Sequence, residues 1–144
     1  MAKITKGPLY LAGGNGQKAD RKKKRILVVD DLPSNLKLMR VLLSSEGYSV
    51  STAVDAEDGL LAVMDDEPDL IITDLHMPGM GGVALIRGLK LNESTRHIRI
   101  LAITSTDTTA EQTKLAKLAG CDGAYMKPIN TRTLNNIIAK LLNE

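Results

Sequence analysis

The sequence predicts an open α/β domain: a parallel sheet of five strands wound on both faces by helices. Apolar runs of strand length alternate five times with amphipathic segments of helix length, the pattern of repeated βα units joined by right-handed crossovers. The first run, Ile26-Leu27-Val28-Val29, is apolar throughout rather than alternating, as expected of a strand covered on both faces. The chain has 144 residues, 43% of them apolar, enough for one core but well short of the about 250 residues of an eight-unit barrel.

Each element has its own signal. Ile26-Leu27-Val28-Val29 forms a continuous apolar run ending in Asp30 and Asp31, a buried strand. From about Ser34 to Glu46, Leu36, Met39, Leu42 and Leu43 recur at helical spacing, and Gly47 supplies a stop. The alternation continues with strand Ser49–Val54, helix Ala56–Glu67, strand Leu70–Thr73 and helix Val83–Leu91. Strand Ile98–Ile103, helix Thr109–Ala119, a short strand near Ala124–Met126 and a helix from about Thr131 to Leu142 complete it.

Residues 1–24 read differently. They mix Gly, Lys and Asn around one short apolar patch, Pro8-Leu9-Tyr10-Leu11-Ala12, followed by Gly13-Gly14-Asn15-Gly16. They are expected to be a flexible basic leader to a domain spanning 25–144. Residues 1–25 hold eight basic groups and one acidic, whereas the remainder holds 11 basic and 16 acidic. A basic tail is thus attached to an acidic body. The Arg21–Arg25 run reads as a solvated flank, since no apolar helical face accompanies it.

Composition removes several function classes. No stretch approaches the roughly 18 uninterrupted apolar residues of a membrane span, and no signal-peptide core is present, so a cytoplasmic location is expected. Cys121 is the single cysteine, which excludes an internal disulfide framework and a Cys-rich metal site. With no Phe, no Trp and three Tyr, stacked-base recognition loses its platform and nucleic acid is not expected as a partner. No phosphate-binding Gly-rich motif follows a strand, because Gly13–Gly16 lies in the leader.

In an open sheet the site lies beyond the carboxyl ends of the strands. Those ends carry Asp30-Asp31, Asp74, Thr104-Ser105 and Lys127-Pro128. Two carboxylates about 4 Å apart repel by about 4 kcal/mol at an effective dielectric near 20, so such a cluster calls for a cation. Oxygen-only ligands favour Mg²⁺ over Zn²⁺. A carboxylate beside Mg²⁺ can attack phosphorus, with Lys127 and Thr104 binding phosphoryl oxygens. Taken singly these residues have duller roles: Asp31-Leu32-Pro33-Ser34-Asn35, for instance, would serve as an ordinary helix cap. Agreement among the strand ends favours phosphoryl transfer onto Asp74.

These residues resemble the receiver domain of two-component response regulators, of the chemotaxis-regulator-like kind. The likeness rests on Ile26–Asp31, Asp69-Leu70-Ile71-Ile72-Thr73-Asp74-Leu75-His76-Met77-Pro78-Gly79-Met80-Gly81-Gly82, Leu101–Thr104 and Gly120-Cys121-Asp122-Gly123-Ala124-Tyr125-Met126-Lys127-Pro128. It spans about 24–143 and implies a flavodoxin-like (βα)5 fold with strand order 2-1-3-4-5. It further implies Asp74 as phosphoacceptor, Asp31 as direct Mg²⁺ ligand, Asp30 acting through water, the backbone carbonyl of His76 completing the ligands, and a cis Lys127–Pro128 peptide. Such domains are not enzymes in the ordinary sense. They take the phosphoryl group from a sensor histidine kinase or a histidine phosphotransfer protein, and catalyse the transfer and its slow reversal themselves.

The resemblance also implies that His76 and Thr106, two residues beyond Asp74 and Thr104, tune the lifetime of the aspartyl phosphate. Output is expected at the face of the fourth helix, fifth strand and fifth helix, toward a protein target or a second copy in a phosphorylation-dependent homodimer. Two departures stand out. Gly81 replaces the usual acid or Asn, which is expected only to loosen the loop. Ala124 occupies the position of the usual switch aromatic, and Tyr125 comes one residue later, on the opposite face of its strand. Tyr125 is expected to pack against a helix with its hydroxyl at the rim. The switch is therefore expected to work through backbone and Thr104 movement rather than a ring flip.

Glu144 directly follows the last predicted helix, so a single-domain regulator is expected. Alternatives are the receiver part of a longer regulator or hybrid kinase, and a phosphorylation-independent scaffold. An Asp-nucleophile phosphatase of the haloacid dehalogenase kind would need a second Asp where His76 stands.

Overall fold

The computed structural model describes residues 23–105 and 107–143; the leader, apart from Lys23 and Lys24, and Thr106 lie outside them. Five strands and five helices alternate: β1 Arg25–Val29, α1 Pro33–Ser45, β2 Ser49–Ala53, α2 Ala56–Asp65, β3 Leu70–Asp74, α3 Gly81–Leu91, β4 Arg99–Thr104, α4 Ala110–Ala119, β5 Gly123–Met126 and α5 Thr131–Leu142. All strand pairs are parallel, and the sheet order is β2-β1-β3-β4-β5, as expected. Strand register brings Val29 level with Thr73, and Asp74 level with Ile103. The first and third strands therefore deliver their carboxylates to the same edge.

Strand side chains alternate between two cores. Leu27, Val29, Ile71, Ile100 and Ala102 face α2, α3 and α4. Ile26, Val28, Ile72, Leu101 and Ile103 face α1 and α5. Because each central strand is apolar on both faces, burial is complete: Ile26, Val29, Leu70, Ile71, Ile100 and Leu101 have no measurable exposure. At the outer edge, Arg40 of α1 donates from Nη1 to the Val50 carbonyl at 3.1 Å and from Nη2 to Thr52 Oγ1 at 3.1 Å.

Helix ends differ from expectation where local chemistry intervenes. Helix α1 begins at Pro33, whose fixed φ suits a first turn. Its N-cap position falls on Leu32, which makes no side-chain cap; Asp30 Oδ1 instead accepts from the Leu32 N–H at 2.9 Å. Helix α2 stops at Asp65, with Asp66 already extended, two residues short of the expected end; Pro68 disfavours helical backbone at the residue before it. Thr109 is the N-cap of α4, in a reciprocal capping box with Gln112, rather than its first residue.

Helix α3 starts two residues early, at Gly81. Gly79 and Gly81 have φ of +77° and +76°, a region that side chains resist. Glycine at 81 meets that positive φ without side-chain cost as the chain turns into α3. At Gly82 a Cβ would lie 2.3 Å from the Asp74 carbonyl oxygen and 2.7 Å from Leu75 Cα. The start of α3 is thus seated directly on the end of β3.

Candidate functional site

Four side chains meet beyond the carboxyl edge of the sheet. Asp30, Asp31 and Asp74 each offer a carboxylate oxygen, all within 4.8 Å of one another. Asp30 and Asp74 are 5% and 6% exposed. Lys127 reaches in from the end of β5 and places Nζ 3.3 Å from Asp30 Oδ2 and 3.4 Å from Asp74 Oδ2. Three carboxylates against one ammonium leave the pocket net negative by two charges. Oxygen donors at this spacing suit a hard divalent cation such as Mg²⁺.

The two buried acids are held by different partners. Asp30 Oδ1 caps the Leu32 N–H, and Oδ2 accepts from Asn35 Nδ2 at 3.1 Å. Asp74 Oδ1 accepts from the backbone N–H of His76 at 3.0 Å, so both carboxylates are oriented by the loops that follow them. The sequence reading treats Asn35 only as part of a capping stretch. Its position, five residues after Asp30 and within the first turn of α1, is the signal that it faces the acids.

The remaining predicted residues divide. Thr104 is buried, and its hydroxyl donates to the Tyr125 carbonyl at 3.4 Å, which ties β4 to β5 beside the pocket. His76 contributes its backbone to Asp74 while its side chain is exposed. Thr106 lies outside the described residues. The Lys127–Pro128 peptide is cis. Ala124 packs against the core under α2, α3 and α4. Tyr125, 40% exposed, lies on the opposite face, where its ring covers Gly123 of its own strand: a Cβ there would meet Tyr125 Cε2 at 2.9 Å. A two-residue spacing within one strand permits that contact.

Away from the pocket, His97 lies at the surface and pairs with Glu67 at 2.8 Å. Burial pushes the Cys121 thiol above its usual range. Among the described residues no helix is long and apolar enough to cross a membrane.

A parallel doubly wound sheet with an acidic, lysine-bridged pocket at its carboxyl edge defines a class: small flavodoxin-like α/β domains whose site lies beyond the strand ends. Residues 26–139 match the response regulator receiver domain family, and the chain belongs to that family. It is 40% identical over 106 residues to the response regulator PleD of Caulobacter vibrioides, covering 74% of this chain and only 23% of that protein. It is 32% identical to chemotaxis protein CheY-3 of Vibrio cholerae, covering 83% of this chain and 92% of that one. Among solved structures, a CheY-like receiver domain protein from Methanospirillum hungatei superposes with a TM-score of 0.78 at 30% identity, over 84% of this chain and 94% of that one.

Proposed function

We propose that Asp74 is the phosphoacceptor of a response regulator, taking its phosphoryl group from the phosphohistidine of a sensor histidine kinase or histidine phosphotransfer protein in the cytoplasm. The observation that carries this is the approach of three carboxylates within 4.8 Å with the Lys127 ammonium 3.4 Å from Asp74. Asp30, Asp31 and Asp74, with the His76 carbonyl, would hold Mg²⁺, which when bound offsets carboxylate charge against an anionic donor. A carboxylate oxygen of Asp74 attacks phosphorus, the P–N bond breaks, and its electron pair returns to the imidazole nitrogen, which gains a proton. Lys127 and Thr104 receive the charge on the transferred group. His76 and Thr106, two residues beyond Asp74 and Thr104 in the sequence, tune the lifetime of the acyl phosphate.

The Thr104 hydroxyl, now donated to the Tyr125 carbonyl at 3.4 Å, is the group a phosphoryl oxygen would claim. Phosphorylation then loosens the β4–β5 link and shifts an equilibrium at α4, β5 and α5. With Ala124 in place of an aromatic, that shift runs through backbone and Thr104. Exposed Leu118 and Met126 suit this face to a protein target or to a second copy.

Intact mass after incubation with acetyl phosphate tests the reading. One added phosphoryl group is expected, dependent on Mg²⁺ and absent from Asp74→Asn. No addition to the parent chain, with acetyl phosphate or with a phosphohistidine donor, would favour the phosphorylation-independent scaffold.

A further inference from the structure

Two helices of this fold begin in different ways. At α4 the cap is reciprocal: Thr109 Oγ1 accepts from the Gln112 N–H at 3.1 Å, and Gln112, the third residue of the helix, returns Oε1 to the Thr109 N–H at 2.9 Å. At α1 the third residue is Asn35, but the N–H it would serve, that of Leu32, is already bonded to Asp30 Oδ1 at 2.9 Å. The Asn35 amide is thus released from capping, and its Nδ2 donates to Asp30 Oδ2 at 3.1 Å. Helix formation does not call for this residue, since Asn is a weaker helix former than Leu. Packing does not call for it either. Asn35 lines a groove of about 260 Å³ between α1 and α5, on a wall with Leu38, Met39 and Leu42. A polar side chain on an aliphatic wall is tolerated where its hydrogen bond is made, and here the partner is an acid of the pocket.

Asp30 Oδ2 has a second donor, Lys127 Nζ at 3.3 Å, and that ammonium also lies 3.4 Å from Asp74 Oδ2. We propose that Asn35 is a positioning residue for the metal site, holding the Asp30 carboxylate toward Asp31 and Asp74 when Lys127 turns from the acids to the transferred phosphoryl group. The inference rests on the phosphoacceptor reading above. Among the described residues, loss of Asn35 would leave Lys127 as the one side-chain donor to Oδ2. The ammonium that has to follow the phosphoryl group would then also have to hold the acid. The two donors are unequal in mobility. Asn35 carries a short side chain fixed in the first turn of a helix, whereas Lys127 extends a long flexible stem and is 32% exposed. One donor is built to stay and the other to leave.

Asn35→Leu in the full chain separates this role from a structural one, because the two carry opposite signs. Leu is the better helix former and adds apolar volume beside the groove. Thermal unfolding without Mg²⁺, followed by circular dichroism, should therefore stay at the parent temperature or rise. Mg²⁺ titrated calorimetrically should nonetheless bind about fivefold more weakly, near the ordinary contribution of one hydrogen bond. Adding Lys127→Met to both chains sharpens the result. With the ammonium gone, Asn35 is the remaining side-chain donor to Oδ2, and the penalty of Asn35→Leu on Mg²⁺ binding should grow to about tenfold or more. Acetyl phosphate labelling of Asp74 in Asn35→Leu should regain most of the parent rate once Mg²⁺ is raised about fivefold.

Unchanged Mg²⁺ affinity in Asn35→Leu would overturn the proposal. A weaker affinity that comes with a lower unfolding temperature would also overturn it, by making Asn35 a structural residue. An equal penalty with and without Lys127 would show that the two donors act independently, and a parent chain that binds no Mg²⁺ would leave Asn35 nothing to position. Mg²⁺ binding with the expected dependence on Asn35, in a chain that neither acetyl phosphate nor a phosphohistidine donor labels, would sink the phosphoacceptor reading and keep Asn35 at the metal site.

Discussion

On one face of the sheet, α2, α3 and α4 press so closely that glycines mark the contacts: a Cβ on Gly59 would lie 3.2 Å from Val29, and one on Gly82 only 2.3 Å from a carbonyl oxygen. On the other face, α1 and α5 are separated by a groove of about 260 Å³. The same strands supply both faces, so the difference lies in the helices. The closed face seats α3 directly on β3, the strand that ends in Asp74. The open face leaves room beside the acids, with Asp30, Asp74 and Lys127 on its lining. Close contact and open space therefore lie on opposite sides of one sheet.

The largest test of this contrast is Gly82→Ala. The added methyl must displace backbone rather than a flexible side chain, so urea denaturation should show a loss of about 3 kcal/mol or more, and α3 should detach from β3. Matched truncations come next. Ile86→Ala, on the closed face with 0% exposure, should cost about 4 kcal/mol, whereas Leu134→Ala, which already borders empty space, should cost about 2 kcal/mol. Equal losses would mean the groove is filled in solution.

Enlargement reverses the order. Leu85→Phe should destabilise by about 2 kcal/mol, because the residue is 1% exposed among close neighbours, while Ile129→Phe should cost less than about 1 kcal/mol by growing into the groove. The smallest effect concerns Cys121, which packs against the closed face. Its thiol is raised above its usual range by burial, so at mildly alkaline pH iodoacetamide should modify the folded chain more slowly than the urea-unfolded one. The sign for stability follows: the raised folded value favours the neutral thiol, a contribution present below the unfolded thiol range and lost as pH rises through the folded value. Cys121→Ala should flatten that alkaline decline.

Much of this architecture is legible in the sequence because local signals agree with the global fold. Ile26–Val29 reads as a strand buried on both faces, and Asp30, Asp31, Asp74 and Lys127 converge because parallel strands end at one edge. What escapes has a common cause, namely dependence on atoms from distant segments. The glycine at 82 is required by the Asp74 carbonyl across the β3–α3 turn, and nothing in its neighbours announces that. Asn35 can be placed on α1 from periodicity, but its bond to Asp30 depends on where the helix begins, one residue earlier than capping rules suggest. The groove depends on side-chain volumes from α1, α5 and three strands together, and hydrophobic spacing carries no volume information. Tyr125 is placed correctly on its face by alternation, yet its neighbour, Gly123, follows from the lack of a competing side chain.

The guanidinium of Arg40 bears on how these molecules behave when crowded. The sheet has two borders, and an uncovered border is a template for another molecule's strand. On β2, Arg40 already occupies the Val50 carbonyl and the Thr52 hydroxyl, and its positive charge repels an identical border. The other border, β5, is only four residues long, too short to template a lengthy ladder. One border is blocked by charge and the other by brevity, and a sheet without aromatic ladders on either border is a poor seed for fibrils.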